Sequence, residues 1–118
     1  MLTDSIAYQK AKLFARRIVF LGKHLRNDHQ EYILSKQIVR SGTSIGANIN
    51  EANYGQSKAD FISKLHIALK EAAETEYWLK VLTQSDYLST EMGDSLLHDC
   101  MELKKILIAS INTAKTNQ

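Results

Sequence analysis

The stretch Ser5–Arg26, SIAYQKAKLFARRIVFLGKHLR, decides the fold class. Its apolar residues recur at alternating spacings of four and three, which is the pattern of a helix buried along one seam. This row consists of Ala7, Ala11, Phe14, Ile18, Leu21 and Leu25. Thr3 or Asp4 is placed to cap the first N–H groups. The stretch is therefore predicted to be the first helix of a bundle, with this row facing the core.

Three later segments show the same periodicity, at about residues 31–53, from Ser57 to about Thr83, and from Ser89 or Thr90 onward. Gly55 is expected to end the second helix in a left-handed conformation. The predicted inward rows are Leu34, Ile38, Ser41, Ile45, Ile49 and Ala52, then Phe61, Leu65, Ala68, Ala72, Leu79 and Leu82, then Leu96, Cys100, Leu103, Leu107 and Ile111.

The connections between the four predicted helices are short. They are Asn27–Gln30, the residues around Gly55, and Gln84–Tyr87. Short connections favour antiparallel neighbours, so we predict an all-α, up-down-up-down antiparallel four-helix bundle that forms a single domain over residues 1–118. A longer helical hairpin completed by a partner chain would bury the same rows.

The composition supports a helical domain. The 118 residues include no proline and only five glycines, whereas average usage would give about six prolines. Cys100 is the lone cysteine, so no intrachain disulfide forms, and folding requires no metal or cofactor. No apolar run reaches the length of a membrane span and the N-terminus lacks a secretory pattern. We therefore expect a cytoplasmic protein with no membrane association.

The net charge of +2 conceals an asymmetry. Residues 1–59 carry nine basic and four acidic side chains, and residues 60–118 carry six and nine. The first helix holds six of the basic residues and no acid between Ser5 and Asn27. Four of them, here called the basic row, gather on the side away from the core: Lys12, Arg16, Lys23 and Arg26. The basic row is either a solvated face or, repeated in an oligomer, a surface for nucleic-acid phosphates.

A second apolar row lies on the same helix at Ile6, Leu13 and Phe20, one heptad apart. It is about 115° around the helix from the predicted core row. A wide apolar face within one bundle is one interpretation. We favour contact with another subunit, because a continuous apolar patch in water is unfavourable. Trp78 is expected to contribute to such an interface from the third helix.

The second helix carries a polar row beside its core row: Gln37, Arg40, Ser44, Asn48 and Glu51, with Ser41 and Thr43 nearby. Charged groups this close to a core must be paired or reach water. We interpret the row as an internal hydrogen-bond network, with a ligand or catalytic site as the alternative. Arg40 is predicted to pair with Glu71 or Glu74 of the third helix, within or between subunits. Gly42 and Gly46 are expected where another backbone comes close.

Catalytic and metal-binding patterns are missing from the sequence. The four histidines lack metal-ligand spacing, and no Glu-x-x-His pair, phosphate-binding glycine loop, nucleophile elbow or paired-cysteine motif occurs. Ser41 and Ser44 have no histidine near them in sequence. The sequence therefore predicts a protein that is not an enzyme.

The string from Gln37 to Glu51, QIVRSGTSIGANINE, resembles the signature of the four-helix-bundle proteins encoded in intervening sequences of bacterial 23S rRNA genes, also called S23 ribosomal proteins. The resemblance continues through residues 61–68 to Glu74. It implies a ring-like homopentamer, and it extends to the accessory protein of diversity-generating retroelements, which binds nucleic acid and a reverse transcriptase. The signature positions it implies, with a structural role, are Arg40, Ser41, Ser44, Asn48, Glu51 and Glu74.

Two functions are consistent with these observations. The first is a homo-oligomeric protein that binds RNA or DNA nonspecifically through the basic row. The second is a protein-interaction scaffold that recruits a reverse transcriptase or another protein and has no direct nucleic-acid role. Tyr8 is the only aromatic residue close to the basic row in sequence, so base-specific readout is not expected.

Overall fold

The computed structural model describes residues 5–117, which form four α-helices and no strand. They are α1 (Ile6–His29), α2 (Leu34–Asn53), α3 (Lys58–Gln84) and α4 (Thr90–Thr116). The predicted all-α class and the number of helices are confirmed.

The helices occupy the corners of a square. α1 packs against α2 and α4, α3 packs against α2 and α4, and within the described range the Cα atoms of the diagonal pairs stay more than 8 Å apart. The order of contacts is reversed between neighbouring helices: Lys10 meets Glu102, whereas Arg17, further along α1, meets Asp99, which comes earlier in α4. The bundle is therefore up-down-up-down and antiparallel, as predicted, with extents of 49 × 21 × 20 Å.

Serine hydroxyls cap three of the four helices. Ser5 accepts a hydrogen bond from the Tyr8 backbone N–H, Ser57 from Asp60 and Ser89 from Met92. Each bond satisfies a donor that has no partner inside the helix. The predicted starts of the third helix at Ser57 and of the fourth at Ser89 or Thr90 are confirmed. The predicted caps Thr3 and Asp4 lie outside the described residues.

Three details of the connections differ from the prediction. α1 continues to His29, through residues expected to form a loop, and ends where Gln30 adopts a left-handed conformation with φ 51°. The Gln30 and Glu31 N–H groups both bond to the Leu25 carbonyl, which closes the helix end. α2 begins at Leu34 and not at residue 31 as predicted. Glu31 lies before the helix, and its carboxylate accepts a hydrogen bond from the Ser35 N–H. Gly55 is not left-handed, since α2 ends through Tyr54 at φ −105°.

The predicted inward rows form the core. All of their members are buried except Ala7, Leu34 and Phe61, which are half-buried at its edges. α1 and α2 approach closely where Gly42 faces Ile18 and Gly46 faces the backbone of Ala11. The close approach expected at these glycines is thus made with α1 of the same chain.

Candidate interaction surfaces

The apolar row of α1 is exposed. Ile6, Leu13 and Phe20 present 67%, 62% and 64% of their surface to solvent. The row lies on the side of α1 that faces α4: Phe20 borders a cavity together with Met92, and Ile6 borders a smaller one together with Ile106. The bundle does not bury this second row, so the interpretation as a wide apolar face covered within one bundle is wrong.

The basic row lies beside the apolar row. Lys12, Arg16 and Lys23 are exposed and Arg26 is half-buried. Within residues 5–117, none of the four forms an ion pair. Lys12 instead lies over the Tyr8 ring and Lys23 over the Phe20 ring, with 5.3 and 5.7 Å from Nζ to ring centroid.

The other two basic residues of α1 are compensated. Arg17 donates to Asp99 at 2.6 Å and to Ser95 at 3.0 Å, and Lys10 donates to Glu102 at 3.2 Å. These bonds join α1 to α4. The six cations of α1 are therefore divided into a compensated pair that faces α4 and the uncompensated basic row on the outer surface.

Arg40 bridges α2 and α3. Its guanidinium donates to Glu71 at 3.2 Å and also to Glu74, and Trp78 Nε1 donates to Glu74 at 3.0 Å. The hydrogen bond with Glu74 raises the pKa of Arg40. The bonds from Arg40 and then Trp78 lower the pKa of Glu74. The predicted pairing of Arg40 is confirmed within one chain, and it engages both carboxylates.

The rest of the polar row has structural partners. The hydroxyl groups of Ser41 and Thr75 are hydrogen bonded at 2.9 Å, and both residues are fully buried. Ser44 and Asn48 bond to backbone carbonyls one turn earlier, at 2.6 and 2.8 Å. Lys64 donates to Glu51 at 2.9 Å, and this bond raises the pKa of Lys64.

These bonds connect α2 to α3 at three levels: Glu51–Lys64, Ser41–Thr75 and Arg40–Glu71/Glu74. In the Ser41–Thr75 pair, Thr75 Oγ1 donates to Ser41 Oγ and Ser41 Oγ donates to the Ile38 carbonyl, so both buried hydroxyl groups have partners. Thr75 is a member of this network that the sequence pattern did not predict. Thr75 lies in the seven-residue gap between Ala72 and Leu79 in the predicted inward row of α3. The gap indicated that one further residue there faces the core.

The described residues offer no metal centre and no activated nucleophile. No group of three or more His, Cys, Asp or Glu side chains in this range is placed to hold a metal ion. Burial raises the pKa of Cys100 to about 12, so the reactive thiolate is suppressed. His24 bonds to Asp28 at 2.7 Å and stacks edge-on with His29, at one end of the bundle. None of the helices over residues 5–117 combines the length and apolar character of a membrane span.

The two surfaces expected to contact another subunit lie on opposite sides of the bundle. The apolar row lies at the α1–α4 edge. Trp78 lies at the α2–α3 edge, where it is half-buried and bonded to Glu74. These edges are opposite in the square of helices. An interface that used both surfaces would therefore pair different faces of two copies.

Comparisons with known proteins agree with the resemblance carried by residues 37–51. The family model described as 23S rRNA-intervening sequence protein matches residues 3–109. The fold is also similar to the crystal structure of a protein with unknown function from the S23 ribosomal protein family of Bacteroides thetaiotaomicron. The two chains are 54% identical with a TM-score of 0.89, over 90% of this chain and 98% of that chain. No curated protein matches the chain.

Proposed function

Because this chain belongs to the family of 23S rRNA-intervening sequence proteins, we propose that it is a cytoplasmic, non-enzymatic homo-oligomer that binds RNA or DNA nonspecifically through its basic row. The observation that carries the proposal is the division of charges on α1. Lys12, Arg16, Lys23 and Arg26 have no ion pair within residues 5–117, whereas Lys10 and Arg17 are compensated by α4. The free charges are those on the outer surface, where a phosphate backbone has access.

The spacing of the basic row suits phosphate binding. From Lys12 to Arg26 the helix rises about 21 Å, at about 1.5 Å per residue. Lysine and arginine along such a length neutralise phosphates and release counterions, which gives affinity without base specificity. Several copies of the row in one assembly would multiply the number of phosphates that are bound.

The proposed assembly is a closed ring, for which the family resemblance implies five copies. An interface between the α1–α4 edge of one copy and the α2–α3 edge of the next is heterologous, and a heterologous interface closes into a ring when the rotation permits. Ile6, Leu13 and Phe20 would then lie against the surface that bears Trp78. This arrangement would cover the apolar row.

Binding is tested by fluorescence anisotropy with a structured RNA and a duplex DNA, titrated from about 50 to 200 mM salt. The test variant replaces the four residues of the basic row with Glu. The matched control makes the same charge change at exposed lysines elsewhere, namely Lys36, Lys58, Lys70 and Lys105. We expect the plot of log affinity against log salt to flatten in the test variant by about 0.9 for each duplex phosphate that it no longer neutralises, and to change less in the control.

Three outcomes would contradict the proposal: no binding at low salt, equally weakened binding in both variants, or undiminished binding in the basic-row variant. A protein partner that is retained at high salt after nuclease treatment, together with the absence of nucleic-acid binding, would support the scaffold function instead.

Assembly is tested by sedimentation equilibrium of the wild type and of Leu13→Gln and Phe20→Gln. Both side chains are exposed in the bundle. We therefore expect these variants to dissociate the oligomer while the helical circular dichroism signal and the subunit fold persist. A monomeric wild type, or variants with unchanged mass, would reject the proposed interface.

A further inference from the structure

The α1–α4 edge is packed less closely than the other three edges of the bundle. Small residues allow close approach elsewhere: Gly42 lies against Ile18 between α1 and α2, and Gly93 lies against Thr83 between α3 and α4. At the α1–α4 edge, α1 presents the large side chain of Phe20 and α4 that of Met92. The polar interactions across it are the bonds that Lys10 and Arg17 make to α4.

The looser packing leaves a cavity of about 570 Å³ between α1 and the start of α4. Its floor consists of Leu21, Leu88 and Leu96, all less than 10% exposed, and its sides include Phe20 and Met92. The cavity is open to solvent on the side of Phe20 and Met92, and pockets for small ligands measure about 300–1,000 Å³ and are mostly apolar. The size and the lining match a ligand pocket.

The charged side chain at the rim of the cavity is compensated. Among the described lining residues, Arg17 is the one arginine, lysine, aspartate or glutamate, and it is bonded to Asp99 and Ser95. Its charge is therefore already paired. An anionic ligand would lose its hydration without gaining a free cation.

Two hydroxyl groups at the rim, those of Ser89 and Tyr87, donate no hydrogen bond within residues 5–117, and Ser89 is the one bonded to the Met92 N–H. Ser89 Oγ accepts the N–H of Met92 at 3.1 Å as the cap of α4. A hydroxyl group can also donate its own hydrogen, and within residues 5–117 no acceptor takes the hydrogen of Ser89. An acceptor oxygen on a ligand would satisfy it.

We propose that this cavity binds a neutral, mainly apolar small molecule, about the size of two fused aromatic rings, whose single acceptor oxygen bonds to Ser89. The ligand lies on the leucine floor beneath Phe20 and Met92. Met92 suits this position, since a flexible thioether side chain adapts to varied apolar shapes. The site is independent of the basic row and requires no nucleic acid, and it shares Phe20 with the proposed subunit interface.

Methionine methyl NMR of the full chain tests the proposal directly. Met92 borders the cavity, and Met101 lies on the same helix outside it. The probes are 2-acetonaphthone, naphthalene and 2-naphthoate, which share one ring system. With the ketone, we expect a saturable shift of the Met92 methyl signal and none for Met101. We expect naphthalene to bind about two- to tenfold more weakly than the ketone because it lacks the acceptor, and the carboxylate to bind most weakly.

Calorimetry with variants supplies the control. Met92→Trp fills the cavity and is expected to reduce ketone affinity at least about tenfold, whereas Met101→Trp on the same helix should leave it unchanged. Ser89→Gly keeps most of the capping preference but removes the hydroxyl, and should make the ketone and naphthalene bind equally.

Four results would overturn the proposal. They are equal shifts of Met92 and Met101, undiminished binding to Met92→Trp, carboxylate binding as tight as that of the ketone, and binding that appears only after the oligomer is dissociated. The last result would show that a second copy of the chain fills the cavity.

Discussion

Gly42 of α2 lies against Ile18 of α1 so closely that a β-carbon on Gly42 would stand 2.8 Å from Ile18 Cγ2. Ile18 is fully buried and branched at Cβ, which leaves it little room to rotate away. Gly46, one turn later, is also next to α1, but its β-carbon would stand 3.4 Å from Ala11 Cβ, an ordinary separation. A larger residue is therefore excluded by contact at Gly42, whereas the space at Gly46 admits a β-carbon.

This difference predicts opposite effects of the same substitution. Gly42→Ala should lower the free energy of unfolding by about 1–3 kcal/mol, since the overlap with Ile18 outweighs the better helix propensity of alanine. Gly46→Ala should be neutral or stabilise by up to about 1 kcal/mol, because the propensity gain is not opposed. Urea denaturation of both variants measures the difference, and equal effects would contradict the assignment.

Arg40 should contribute to the stability of the fold through its charge. Arg40→Met removes a half-exposed bridge to Glu71 and Glu74 and is expected to lower the free energy of unfolding by about 1 kcal/mol or less. Arg40→Glu should lower it further, because three carboxylates would then face one another. Added salt should reduce the gap between the variants. Arg16→Glu, at an exposed position, is the control and should change stability by about 0.5 kcal/mol or less. A wild-type-like Arg40→Glu protein would show that the bridge is dispensable.

Glu76 should contribute to acid sensitivity. It accepts hydrogen bonds from Lys104 at 2.7 Å and Lys80 at 2.9 Å, and these bonds lower the pKa of Glu76 from its ordinary value of 4.5. A lowered folded-state pKa gives stability that is present above the unfolded value and is lost as pH falls through the folded value. The stability advantage of wild type over Glu76→Gln should therefore be largest above about pH 4.5 and shrink below it.

Denaturation of the wild type and Glu76→Gln across a pH series measures this advantage. Asp94→Asn, at an exposed acidic residue of α4, is the control for the loss of one carboxylate. An advantage that stays constant from neutral to acid pH would contradict the role of Glu76.

Cys100 should be protected from thiol reagents in the folded protein. Its Sγ donates to the Ala72 carbonyl at 3.3 Å, and burial raises the pKa of the thiol to about 12. Labelling by an aromatic disulfide at mildly alkaline pH should therefore be slow and limited by opening of the bundle, and fast in urea. Cys100→Ala combined with Ile108→Cys moves the thiol to an exposed position on α4 and should react at once. Rapid labelling of the folded wild type would contradict the buried placement.

Much of this architecture follows from local periodicity. Rows such as Phe14, Ile18 and Leu21 repeat with the helical period. Helices that bury such rows must pack into a bundle, whatever the exact contacts between their side chains. The bridge from Arg40 to α3 was also predictable, since a guanidinium beside a core row needs a carboxylate, and Glu71 and Glu74 lie on the matching face of α3.

Other features depend on how the helices are placed, which local patterns do not encode. The residues Asn27–His29 have the polar composition of a loop, yet they belong to α1. The helix ends where the next residue, Gln30, adopts a left-handed conformation. The compensation of Arg17 but not Arg16 depends on which side of α1 faces α4. The cavity beneath Phe20 depends on the separation of two helices far apart in the chain.

The order of the helices also has a kinetic consequence. Three edges of the bundle join helices that follow one another, and their bonds span short separations, such as 34 residues for Ser41–Thr75 and 28 for Glu76–Lys104. The α1–α4 edge joins the first helix to the last, with Arg17–Asp99 separated by 82 residues and Lys10–Glu102 by 92. Long loops cost the most entropy to close. We therefore expect the α1–α4 edge to form late in folding and to open before the other three edges by thermal fluctuation.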